Sequence, residues 1–204
     1  MKKKELIPLA ECMTINLFDK NSVDLVALHE TGHVITMYAL GMMDYFSYVT
    51  IKSGSETKGL TELTNEYKAV LTKVGNDIML SAGNLSTGKA ITQSLKLSRL
   101  ESAKAFFPNI CRLFGGGAIC RYYHVPDENM CSIDYQLIDT ILFQFNWAGE
   151  REALLRMVDK YLNAVFASFD LLTKTIYKNL VENKTLNKEQ VMQLIKEWED
   201  FKLL

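Results

Sequence analysis

The chain has 204 residues, 48% hydrophobic and 23% charged, with a formal net charge of -1. That is enough apolar material for a packed core, and too little charge imbalance for a nucleic-acid-binding surface or a disordered chain. No run approaches the ~18 apolar residues that mark a membrane-spanning helix.

The first twenty residues read as an irregular arm. Met1-Lys2-Lys3-Lys4 is basic, but Leu6-Ile7-Pro8-Leu9-Ala10 is too short for a signal-peptide core and Glu11 follows it. The expected location is therefore the cytoplasm. Asn21 or Ser22 is a plausible N-cap for a first helix, with Asp24 in its first turn. That helix runs to about Leu40, and Gly41 ends it.

Inside it stands His29-Glu30-Thr31-Gly32-His33, an H-E-x-x-H motif. Histidines four apart lie on one helical face, one turn from each other. One zinc ion can take both imidazoles, and Glu30 beside them can act as base toward a zinc-bound water. The competing reading is a core His pair without metal. The flanks Val26, Leu28, Val34 and Met37 make the helix partly buried, where His and Glu need partners.

Phe46 to Ile51 is β-branched and aromatic, hence a strand, and Lys58 to Leu63 reads as a second, short one. Residues 65–98 suggest helical pieces with Ser, Thr and Gly between them. Within them Gly83 to Ala90 fits G-x-x-x-x-G-K, but Ala90 stands where a phosphate loop needs Ser or Thr. A flexible polar loop is the expectation there. From Leu97 to His124 the pattern is helical, interrupted by Pro108 and by Gly115-Gly116-Gly117. Each glycine costs about 1 kcal/mol against alanine in a helix. Either the glycines break the helix or another element packs very close to them. Val125 to Asn129 is a loop. Helices follow over Ser132 to Phe145, Glu150 to Glu182 and Asn187 to Phe201, the last opened by a capping box of Asn187 and Gln190.

The cysteines Cys12, Cys111, Cys120 and Cys131 form no C-x-x-C pair. They read as free thiols, mostly buried.

A catalytic zinc commonly has three protein ligands and an open position. Ala39 stands where the extended H-E-x-x-H-x-x-G-x-x-H pattern needs a third histidine. His124, Glu56, Glu62 and Glu66 are candidates, the acids lying in turn or strand-like sequence. Asp134 is better placed: it falls on the apolar stripe of Leu137, Ile138, Ile141 and Phe145. A carboxylate on a buried face needs a strong partner, although Asp134 also suits a helix N-terminus for its charge alone. Asp139 lies off the stripe, facing water.

These motifs, in this order, resemble the peptidase domain of the FtsH-type proteases. His29 to His33 is similar to their H-E-A-G-H, with Thr31 for alanine, and Val49-Thr50-Ile51 to their V-T-I strand. Phe114 to Cys120 echoes their L-G-G-R-A-A-E, Ser132-Ile133-Asp134 their S-N-D-L, and Leu180 to Leu186 their L-L-x-x-E-T-L. The resemblance covers most of residues 22 to 200 and implies that Asp134 is the third zinc ligand. It further implies a mostly α fold, a helical zinc metallopeptidase domain with a small β element, whose edge strand holds an extended polypeptide substrate. The chain departs from the family in its glycine segment, where Gly117 and Cys120 replace an arginine and a glutamate. The stretch between Gly59 and Gly115 is also longer, so 65–98 reads as an insertion beside the cleft. The family's membrane anchor and AAA+ ATPase have no counterpart in these 204 residues.

The expectation is thus a single domain over 1–204, cleaving unfolded or flexible polypeptides without ATP, with zinc on His29, His33 and Asp134 and with Glu30 as base. The rival readings are a non-catalytic zinc-binding regulatory or interaction protein, and a zinc hydrolase of non-peptide substrates. An intact Glu30 speaks against the first, because a structural zinc needs no base. A homo-oligomer is left open.

Overall fold

The computed structural model describes residues 5–19, 23–52, 59–69, 71, 99–126, 132–144 and 147–203; for 99–105 and 144 it describes the backbone alone. The helices are α1 (Leu9–Cys12), α2 (Leu25–Ala39), α3 (Arg99–Tyr122), α4 (Ser132–Gln144), α5 (Arg151–Ser168), α6 (Asp170–Asn183) and α7 (Lys188–Lys202). The strands are β1 (Phe46–Thr50), β2 (Leu60–Leu63) and β3 (Thr185–Asn187). The fold is mostly helical with one small antiparallel sheet, in the order β2-β1-β3.

Helix α2 runs through the middle of the molecule, and every residue from Ala27 to Met37 is buried. Its N-cap is Asp24, not Asn21 or Ser22: the Asp24 carboxylate accepts from the Ala27 amide at 3.0 Å. Its end follows from Gly41, which holds φ +67, a conformation glycine adopts without penalty. The Gly41 and Met42 amides then donate to the carbonyls of Tyr38 and Met37 at 3.0 and 2.8 Å, the paired bonds of a Schellman motif.

Helix α3 packs against α2 and passes unbroken through Pro108 and the three glycines. Pro108 removes one backbone donor, normally a cost of ~3 kcal/mol inside a helix. Burial of Ile110, Cys111, Ala118 and Ile119, all at 0% exposure, keeps the helix continuous past it. The glycines are there for contact. A Cβ on Gly32 would strike the carbonyl oxygen of Gly115, and one on Gly115 would strike the Thr36 hydroxyl. The two helices thus approach backbone to backbone at Gly32 and Gly115.

Three further expectations are corrected. The N-terminal arm is not wholly irregular: α1 forms, Leu9, Cys12 and Leu17 are buried, and Ile7 is tied to α6. Its amide donates to Asn179 Oδ1 at 2.7 Å, and its carbonyl accepts from Asn179 Nδ2 at 3.0 Å. The expected long helix over 150–182 is two helices, α5 and α6, divided at Phe169. There the backbone leaves helical geometry (φ -114°), and the ring packs on Tyr38 and Trp198 with centroids 5.4 and 5.2 Å away. Strand β3 was not expected: Leu186, buried, pairs with Val49 in mid-sheet. The capping box of Asn187 and Gln190 forms as expected. Gly83 to Ala90, Glu56 and Cys131 lie outside the described residues, as does most of 65–98; residues 65–69 are helical. Among the described residues no helix is long and apolar enough to cross a membrane.

Candidate metal centre

Helical spacing puts His29 and His33 on one face of α2, where their Nε2 atoms lie 3.0 Å apart. Helix α4 brings Asp134 to the same point. Its Oδ2 is 3.3 Å from His29 Nε2 and 3.5 Å from His33 Nε2. Among the described residues this is the one group of three His, Cys, Asp or Glu side chains whose donor atoms converge; they lie within 4.8 Å of one another. The group could hold a metal ion.

The donor set fits that role. Two imidazole nitrogens at 3.0 Å cannot both present lone pairs without a cation between them, either a proton or a metal. The carbonyl of Arg112 lies 2.7 Å from His33 Nδ1 and can only accept, so that nitrogen carries the hydrogen and Nε2 keeps its lone pair. Burial alone would lower the pKa of His33, but the charge and hydrogen bond of Asp134 push it above its ordinary value. Burial would likewise raise Asp134, but the His33 charge and the hydrogen bonds to both histidines hold it well below the usual carboxylate range. Both shifts have one cause: the site attracts positive charge to the point where the three donors meet.

Asp134 is where the α4 periodicity puts it, one turn before Ile138 and two before Leu142, which are 0% and 1% exposed. The stripe itself is rotated from the expected one. Leu137 is 47% exposed and Tyr135 takes part in the packing in its place, while Ile138 and Ile141 pack as expected. Asp139 faces outward and pairs with Arg151 at 2.5 Å. The other candidates fall away. His124 is exposed, its ring beside Phe18. Glu62 pairs with Lys68, and Glu66 is exposed.

Glu30 is the second residue of the motif and points to a different neighbour. It is 5% exposed, and its Oε2 accepts from the Thr61 hydroxyl at 2.7 Å. Thr61 belongs to β2, the edge strand, so the sheet edge and the Glu30 carboxylate are in direct contact. Gly59, just before β2, makes this possible: a Cβ there would stand 2.7 Å from Glu30 Oε1.

Gly116 closes the other side. A Cβ at this position would lie 2.5 Å from both Cε1 and Nε2 of His29. The close packing that the glycines allow thus falls on the His29 ring itself. Thr61 and Arg112 escaped the sequence reading. A threonine on a strand and an arginine on a helix carry no local sign of what they will face. No family model, curated protein or solved structure matches the chain.

Proposed function

We propose that this protein is a zinc-dependent peptidase that hydrolyses flexible polypeptide chains. The observation that carries the reading is Glu30: a buried carboxylate beside a converging His-His-Asp set, held by a hydroxyl from an edge strand. A purely structural metal site needs neither a base nor an adjoining sheet edge.

Zinc is the ion the donors suit best. A tetrahedral zinc with bonds of about 2.0–2.1 Å sets its ligands about 3.3–3.4 Å apart. The separations here are 3.0, 3.3 and 3.5 Å. His29, His33 and Asp134 would hold the ion, leaving a fourth position open. When bound, zinc supplies a Lewis acid that polarises a carbonyl and lowers the pKa of water at that position.

The chain's own residues do the rest. Glu30 accepts the proton of the attacking water as its oxygen bonds to the scissile carbon. It then delivers that proton to the amide nitrogen as the C–N bond breaks. Thr61 holds the carboxylate in place through Oε2, leaving Oε1 for the proton. Among the described residues no strand pairs with the outer edge of β2, on which an extended substrate can lie as a further strand beside Glu30.

The test is Glu30→Gln. The variant should retain one zinc per chain and its melting temperature while losing at least about 100-fold in kcat, the scale of general-base catalysis. Equal cleavage of casein by wild type and variant, at equal zinc content, would refute the mechanism.

A further inference from the structure

Arg112 stands on α3 one turn before Gly115 and Gly116, and its carbonyl already orients His33. Its guanidinium is close enough to Asp134 and Glu30 to feel both charges. Nε is sealed from solvent and has no hydrogen-bond partner among the described residues. Among the described residues no carboxylate forms an ion pair with the guanidinium. Yet the acidic groups that act on it are Asp134, Tyr67 and Glu30; burial lowers its pKa and their fields oppose this. Asn109, one turn earlier, is 2% exposed and donates to the Tyr67 hydroxyl at 2.9 Å, which fixes the wall next to Arg112. The Asn109 Oδ1 is also buried with no partner among the described residues.

A buried guanidinium donor without an acceptor is costly and calls for an explanation. A mere countercharge to Asp134 or Glu30 would close onto one of them as an ion pair, and Arg112 does not. The charges point the same way. With neutral imidazoles, the carboxylates of Asp134 and Glu30 balance a divalent ion, and Arg112 leaves the site one positive charge in excess. Arginine's planar fork suits an oxyanion or carboxylate, which it binds in bidentate fashion.

We propose that Arg112 is a catalytic residue that donates to an anionic oxygen of the substrate beside the metal. This rests on the hydrolase reading above. The oxygen has two sources: the oxyanion that forms at the scissile carbonyl, or a carboxylate the peptide already carries.

The experiment uses the zinc-loaded full chain with Arg112→Met and Arg112→Lys. Quenched fluorogenic peptides are made in matched pairs, Glu against Gln beside the cut and free acid against amide. Zinc content is measured for each variant. Binding of a phosphinic peptide, with anionic oxygens in place of the scissile carbonyl, is followed by calorimetry. The expected result for Arg112→Met is retained zinc and a fall of about 100-fold in kcat on all peptides, the effect of losing one oxyanion donor. A tenfold or larger rise in KM confined to Glu or free-acid peptides also supports the proposal and assigns the carboxylate source. Kinetics within twofold of wild type on every peptide overturn it. Should Arg112→Met lose zinc or its fold, Arg112→Lys decides: the charge stays but the fork is gone. A tenfold loss in kcat/KM with zinc retained then supports the role, and wild-type kinetics refute it. If zinc-loaded wild type cleaves no peptide, the peptidase reading fails by itself. Arg112 is then judged on the phosphinic peptide, where binding that weakens at least tenfold in the variants supports it and unchanged binding overturns it.

Discussion

Gly116→Ala should separate folding from metal binding at the His29, His33 and Asp134 group. The added carbon would lie 2.5 Å from Cε1 and Nε2 of His29 and 2.7 Å from its Nδ1. Comfortable contact begins near ~3.5 Å, so the ring must retreat by about 1 Å. Productive site geometry tolerates only about 0.5 Å. The ring has little room to move, since α2 is buried throughout and Gly32 is already locked against Gly115. Overpacking of this kind costs about 1–3 kcal/mol. Replacing a mid-helix glycine by alanine returns about 1 kcal/mol through propensity. The metal-free protein should therefore lose no more than ~2 kcal/mol. Metal affinity should fall at least about 10-fold, the lower end of what a disturbed supporting shell costs. Gly116→Val should be worse on both counts. Competition with a chromophoric chelator gives the affinity, and thermal unfolding of the chelated protein gives the stability. Wild-type values for both, in alanine and valine variants alike, would refute the claim that Gly116 seats the His29 ring.

Asp134→Ala should lose most of its bound zinc by elemental analysis, and unchanged content would remove Asp134 from the site. Chelation of the wild-type protein should lower its melting temperature, because metal at about 1,000 times its Kd stabilises the folded state by ~4 kcal/mol; an unaltered transition in chelator would mean that no ion is held. Thr61→Val should keep zinc while lowering kcat by about tenfold, since the Glu30 carboxylate loses its 2.7 Å partner and a bond to a charged group contributes about 1.5–3 kcal/mol; unchanged kcat would show that Thr61 does not position the base. Peptide hydrolysis by the 204-residue chain should be indifferent to ATP, and stimulation that vanishes in Lys89→Ala would instead revive the phosphate-loop reading of Gly83 to Lys89.

What the sequence determined by itself is local geometry. Two histidines four apart share a helical face whatever surrounds them, so the His29–Glu30–His33 set was legible without a fold. The Asn187 capping box and the Gly41 stop are equally local, each settled within about one turn of the chain. Asp134 lay between the two cases: periodicity put it on the buried side of α4, but the true stripe leaves Leu137 in solvent, and only the approach of α4 to α2 brings the carboxylate to the imidazoles. Everything else about the site was decided by distant neighbours. The glycines of α3 left two readings, a broken helix or close packing, and only the position of α2 decided for packing. Phe169 divides α5 from α6 because Tyr38 and Trp198 wait for its ring, and β3 exists because β1 has a free edge to fill. Thr61 meets Glu30, and the Arg112 carbonyl meets His33, for the same reason. The sequence specifies these residues, and only tertiary packing specifies what stands opposite them.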